Sequence, residues 1–450
     1  MKATGQVRTF VSSWAQAGTG RSRVRSIVGV GLGGILVSAT AAGVALLVAA
    51  ICGSWPASIS ATILTVLAAP ALIAVLRQWR ARTRSRGRRT LPYRYSLSIS
   101  GVAMVVTLTW IWPHADPVTP PSTPDARVLA LTDGTKLVVH VSRSQSATKP
   151  PLVVVHGGPG VADPQHDAAA LGRLATDRDV YIYDQLGTGG SDRLNNPRGY
   201  TDNRALDDLD RVVALTDGAK VALLGHSWGS RLVIKYAAAH PDRVAALILS
   251  APTFPPSPES VRQQLGDPTE RLNLLQRLHL YGHLLRPRNL FTYLLGRVDL
   301  EVAHHAAGDT EMDARFATIY RHTTPGLFCD PALAERLGVT GVGYYAHHAL
   351  VTDTSSLYDP STPVPQRQPI TAPTLIIKPA CDYLPWAAIS AHRAITPAAR
   401  LVVLPDAGHQ AYLEQPGAYI DLVSAFLADR PLPLPVVDAS TPPPSYRGKR

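Results

Sequence analysis

From residue 126 onward the chain alternates short apolar runs with longer amphipathic stretches. The runs are LVVHV (137–141), PLVVV (151–155), DVYIY (179–183), KVALL (220–224), VAALILS (244–250), PTLIIK (373–378) and ARLVVL (399–404). Runs this short, apolar at nearly every position and separated by helix-length segments, predict strands buried on both faces, and so an α/β fold with a mostly parallel central sheet. Between 253 and 369 the rhythm stops: no comparable strand occurs, and PTFPPSP and STPVPQRQP bound the interval. That pattern predicts a helical cap inserted over the C-terminal edge of the sheet. One more helical segment spans 416–427, and the proline-rich PLPLPVV and TPPPSYRGKR after it predict a disordered tail.

The pattern before residue 126 is of another kind. Residues 27–52, 57–76 and 96–112 are uncharged runs of 26, 20 and 17 residues, and a membrane span needs about 20. The first run is read as a span and not as a cleaved signal, because its apolar core far exceeds the ~7 to 15 residues of a signal peptide. Two or three transmembrane helices are therefore expected in 1–112. The stretch PHADPVTPPSTP, with five prolines, reads as a semi-rigid linker over 113–125. The expected division continues with 126–252 and 370–430 as two parts of one core, 253–369 as cap and 431–450 as tail.

Charge supports the membrane reading. The net charge of +11 first suggests nucleic acid, but residues 1–95 hold 13 of the 44 Lys and Arg and none of the 33 Asp and Glu. An excess confined to the flanks of apolar runs is what positive-inside retention produces, and the near-neutral remainder excludes a nucleic-acid partner. The arginines place the first two runs in, out, in. If the third run also spans, with Trp110 and Trp112 at its far end, the chain is a multi-pass membrane protein whose catalytic domain lies outside the cytoplasm. Cys329 and Cys381 would be a pair in an exported domain; they are read here as two unpaired buried thiols.

Candidate chemistry sits at the ends of the predicted strands. LLGHSWGS (223–230) sets Ser227 between Gly225 and Gly229, after an apolar run and before the helical stretch SRLVIKYAAAH. Flanking glycines permit the sharp strand-to-helix turn that exposes a nucleophilic hydroxyl. A serine attacks only when a histidine takes its proton and a carboxylate fixes that histidine's tautomer. Asp382 after the run 373–378 and His409 after 399–404 fill those roles, at strand C-termini where the crevice of a parallel sheet opens. HGGPG (156–160) can turn bare amides toward the site, which makes the amides of Gly158 and Trp228 candidate oxyanion donors. The set points to acyl transfer with no metal and no organic cofactor. A catalytically idle binding or sensor domain is the rival from another class, and it has no need of an intact triad. The adjacent pairs His304-His305 and His347-His348 lack the i, i+4 spacing of a metal site and are read as surface histidines.

On HGGPG, DQLGTGGS (184–191), GHSWGS (225–230), Asp382 and His409, residues 126–430 resemble the α/β-hydrolase fold, and within it the proline iminopeptidase group. The resemblance implies Ser227 as nucleophile, Asp382 as orienting acid, His409 as base, and Gly158 with Trp228 at the oxyanion hole. It also implies an aminopeptidase acting on small peptides, with a small-molecule esterase or amidase as the alternative. The chain departs from the group at Leu186, where arginine is usual, and at His226, where glycine is frequent. The group holds the substrate ammonium with cap carboxylates, commonly a Glu before a His-Tyr-Phe-like run, and GYYAHH (343–348) lacks that Glu. Glu259, Glu270, Glu301, Glu311 and Glu335 are read as solvated charges with room for one in the pocket, and substrate-binding residues are otherwise unassigned.

Overall fold

A computed structural model describes residues 36–45, 47–48, 60–66, 68–69, 118, 123 and 125–449, apart from 217–219, 256–265, 353–369 and 439. The chain divides into two compact units, one of residues 1–113 and 286–306, the other of 114–285 and 307–450. In the first, the described parts of the first two apolar runs are helical, and Val37, Ala41 and Val66 are buried together. The rest of the three expected spans lies outside the described residues, and among the described residues no helix is long and apolar enough to cross a membrane. The helices Pro287–Val298 and Leu300–Ala306, expected as part of the cap, group with this unit.

The second unit is built on an eight-stranded sheet. Its strands are β1 (Ala126–Ala130), β2 (Lys136–Ser142), β3 (Leu152–Val155), β5 (Val180–Asp184), β6 (Val221–His226), β7 (Val244–Ser250), β9 (Thr374–Pro379) and β10 (Arg400–Leu404). They lie in the order β1-β2-β5-β3-β6-β7-β9-β10. The pairs β1/β2 and β2/β5 are antiparallel, and every later pair is parallel. β3, β5, β6 and β9 are buried at every position, as their unbroken apolar runs predict. β1 escaped the sequence reading because it is a half-exposed edge strand with Val128 facing solvent. One face of the sheet closes over a core of Val154, Ile182, Leu224, Ile377, Phe328 and Tyr419.

Helices Leu274–Leu284, Asp309–Thr323 and Tyr344–Thr352 supply this unit's share of the cap. The interval is not wholly strandless: β8 (Gly341–Val342) pairs with β4 (Val161–Ala162), a ladder of two residues that apolar periodicity cannot reveal. Two further expectations need correction. The tail is not disordered where it is described: the Tyr446 ring is 2% exposed, and the backbone N–H of Arg447 donates to Ala380 at 2.8 Å. Val436 bridges Val402 of β10 and the Tyr446 ring packs against Trp386, contacts that composition alone does not register. The two thiols are also not separate, since Cys329 and Cys381 form a disulfide closing 52 residues of chain.

A cross-link over that separation restricts the unfolded ensemble. Replacing both cysteines by serine is therefore expected to lower unfolding stability by about 2 to 4 kcal/mol. Chemical denaturation of the two forms checks it.

Candidate active site

β6 ends at His226, and the chain turns at Ser227 into the helix Gly229–Ala239. Ser227 takes φ 53°, the left-handed region that a residue other than glycine enters only under constraint. Its amide donates to Ser250 O at 2.9 Å, and the Ser230 hydroxyl donates to Ser227 O at 2.5 Å, so the turn is tied on both sides. Gly229 has no freedom to be anything larger: a Cβ there would stand 2.3 Å from Val155 O. Trp228 precedes the helix, whose first amides have no intrahelical acceptors.

The HGGPG loop reaches the same place from β3, and the second glycine-rich motif fixes it. His156 Nε2 accepts from the Gln185 amide at 3.1 Å, while Gln185 Nε2 donates to His156 O at 2.8 Å. Within that loop Gly158 holds φ 116°, a conformation L side chains avoid. From the cap, His347 Nδ1 lies 2.7 Å from Pro159 O. His347 is half-buried and His348 buried, so this pair is not the surface pair expected.

At the third corner His409 Nδ1 lies 2.9 Å from Asp382 Oδ1, with His409 4% and Asp382 0% exposed. Nδ1 is thus the protonated nitrogen, leaving Nε2 as the acceptor. The other carboxylate oxygen accepts from Lys378 Nζ at 2.8 Å, and the same ammonium donates to Leu384 O. Lys378 is itself fully buried. Burial alone would raise the Asp382 carboxyl; the Lys378 charge and then His409 outweigh it and hold Asp382 well below the usual carboxylate range. Burial also pulls Lys378 below its ordinary value, against the pull of Asp382.

Ser227, His409, His156, Gly157 and Gly158 share one cavity of about 310 Å³ beneath the cap residues Phe316 and Tyr320. No hydrogen bond joins Ser227 Oγ to His409 among the described residues, and in empty sites that contact commonly closes only around substrate. The structure therefore brings Ser227, Asp382, His409 and Gly158 to one place, with Trp228 adjoining at the turn. His226 is buried beside His409, with ring centroids 5.0 Å apart. Glu270, Glu311 and Glu335 do not line the cavity; Asp163, Asp167 and Asp267 do. Glu259 lies outside the described residues.

Three elements of this site went unseen in the sequence. Lys378 sits within an apolar strand, and nothing in KPACD distinguishes it from a lysine at a strand end. Glu414 accepts backbone N–H groups from Gly408, Cys329 and Asp330 at 2.6, 3.0 and 2.7 Å, bracing the histidine loop. Asp163 and Asp167 follow HGGPG by only a few residues, and no motif in that stretch marks them.

Against known proteins, a family profile described as the alpha/beta hydrolase fold matches residues 150–416. A proline iminopeptidase of Heyndrickxia coagulans is 25% identical over 278 residues, covering 62% of this chain and 90% of that one. A putative 2-succinyl-6-hydroxy-2,4-cyclohexadiene-1-carboxylate synthase of Bacillus subtilis is 26% identical over 281 residues, covering 61% and 89%. Among solved structures, the proline iminopeptidase of Mycobacterium smegmatis superposes with a TM-score of 0.44 at 23% identity, over 68% of this chain and 98% of that one.

The Lys378 contact has a testable consequence. With the ammonium present, Asp382 contributes stability at every pH above its unfolded value of about 4, and loses it only as pH falls through the depressed folded value. In Lys378→Met the burial remains and the largest lowering influence is gone, so that loss sets in at higher pH. At pH 7 the variant is expected to be less stable by about 3 to 5 kcal/mol, the cost of breaking a buried pair. Melting temperature followed from pH 3 to 8 reads both effects.

Proposed function

The chain belongs to the α/β-hydrolase family, and from that premise we propose that it is a membrane-anchored serine hydrolase that releases N-terminal residues from short peptides through an acyl-enzyme. The observation that carries the reading is the shared cavity: a serine on a constrained turn, a histidine whose Nδ1 is bound by a buried carboxylate, and a glycine-rich loop beside both.

In this reading His409 Nε2 takes the proton of Ser227 Oγ as the oxygen attacks the scissile carbonyl. The negative oxygen that forms is met by the amides of Gly158 and Trp228. Each such donor is worth about 2.7 to 4 kcal/mol in the transition state. The C–N bond then breaks as His409 returns the proton to the leaving amine, and water enters by the same route in reverse to free the acid and Ser227. Asp382 stays ionised throughout, since its second oxygen is already neutralised by Lys378.

Similarity to proteins named proline iminopeptidase supports a peptide substrate with a free terminus, and a cavity of about 310 Å³ suits one small residue. Apolar runs flanked by arginines support the membrane anchor, and a disulfide supports a catalytic unit outside the cytoplasm.

Three outcomes are expected. A fluorophosphonate probe labels the wild type, and Ser227→Ala abolishes that labelling; labelling that persists removes Ser227 as nucleophile. Proline arylamide is turned over at least tenfold faster than its N-acetylated form; equal rates, or turnover of p-nitrophenyl butyrate alone, leave an esterase. Alkaline phosphatase fused after Arg450 is active, whereas a fluorescent cytosolic reporter at the same point stays dark; the reverse pattern puts the catalytic unit inside.

A further inference from the structure

The catalytic cavity is charged in a way that acyl transfer does not use. Asp163, Asp167 and Asp267 line it, and no Lys or Arg does among the described residues. Asp163 is fully engaged: one oxygen lies 2.8 Å from His166 Nδ1, and the other accepts from the Gly338 amide at 2.6 Å. Asp167 is not. Its Oδ1 accepts from the Tyr412 hydroxyl at 2.8 Å, and Oδ2 has no hydrogen-bond partner among the described residues although the side chain is 4% exposed.

A second, independent group points the same way. His226 is 4% exposed, lines the same cavity, and neither of its ring nitrogens has a hydrogen-bond partner among the described residues. Buried polar atoms left without partners are costly. Burial, and then the charge of Asp163, raises Asp167 well above the usual carboxylate range. Burial, followed by the charges of Asp163 and Asp167, also pushes the Tyr320 hydroxyl up, and that ring lines the same cavity as the pair. A carboxyl whose ionised form burial disfavours until a cation stands beside it, under an aromatic wall of Tyr320, Phe316 and Tyr412, is a setting made for an organic cation.

We infer that Asp167, backed by Asp163, seats the ammonium group of the substrate in the catalytic cavity. This rests on the reading of that cavity as the acyl-transfer site. It replaces the cap glutamate absent before Tyr344-Tyr345 with carboxyl groups at the start and in the first turn of the helix Pro164–Leu171, which follows the HGGPG loop. The ligand class is a small secondary or primary ammonium whose acyl carbon lies toward Ser227. Amides blocked at nitrogen and neutral esters leave the Asp167 oxygen unmatched.

Calorimetric titration of the full chain with pyrrolidinium chloride tests the seat without requiring turnover, and tetrahydrofuran serves as the neutral ring of the same size. Pyrrolidinium is expected to bind the wild type, at least tenfold more weakly to Asp167→Asn, and within a few-fold of wild type to Asp167→Glu, which keeps the charge. Tetrahydrofuran should not distinguish the three. Absence of pyrrolidinium binding to the wild type, or equal binding by wild type and Asp167→Asn, overturns the inference. Melting curves of both variants exclude unfolding as the cause. Pyrrolidinium binding lost in Asp167→Asn, in a protein that does not prefer proline arylamide to its acetylated form, upholds the cation seat and defeats the aminopeptidase reading alone.

Discussion

A carboxylate with no water around it must be neutralised by its neighbours, and the surroundings of Asp382 are organised by that demand. One oxygen goes to His409 and the other to Lys378, and the Leu384 amide adds a third donor at 3.2 Å. The loop that carries the acid is fastened accordingly. Cys381 is bonded to Cys329, and the amide of His409 donates to Leu327 O at 2.6 Å. Glu414 gathers Gly408 and Cys329 into one carboxylate. Acid loop, histidine loop and the 327–330 segment therefore form a closed circuit, in which no member shifts without straining another.

The nucleophile side obeys a different constraint, one of space. Gly229 lets the helix after Ser227 press against the end of β3, and the same closeness brings the HGGPG loop over the serine: a Cβ on Gly157 would stand 2.8 Å from Ser227 Cβ. Backbone geometry, in place of charge, positions this half of the site. The two halves meet where the rings of His226 and His409 pack together and at the cavity that Ser227 and His409 share.

What the sequence disclosed follows this division. Backbone-driven features left strong signatures: the apolar runs, the glycines around Ser227 and the loop after β3 all stood in plain view, and six of the seven expected runs match strands to within about one residue at either end, KVALL alone falling two short of the end of β6. Charge-driven features did not. Lys378 is one of seven lysines with nothing to set it apart until its strand is buried, and Asp163 and Asp167 acquire meaning only when the segment after β4 brings them to the cavity. The tail was misjudged for a related reason, because proline content describes a segment's local freedom and not the partners waiting for Tyr446. The half-buried edge strand β1 was missed since solvent on one side erases the unbroken apolar run.

The segment around Tyr446 belongs to the support of the catalytic acid. Lys378 Nζ lies 5.6 Å from the centre of the Tyr446 ring, whose hydroxyl reaches Leu384 O at 3.2 Å, the same carbonyl that receives the ammonium. A lysine on a central strand and a tyrosine nearly seventy positions away thus share one carbonyl and one charge. An uncharged residue in place of the lysine would leave the aromatic ring without its cation, and a smaller residue in place of the ring would leave the ammonium facing a gap. The two positions therefore work as one unit, and the segment around Tyr446 is a strut for the catalytic acid.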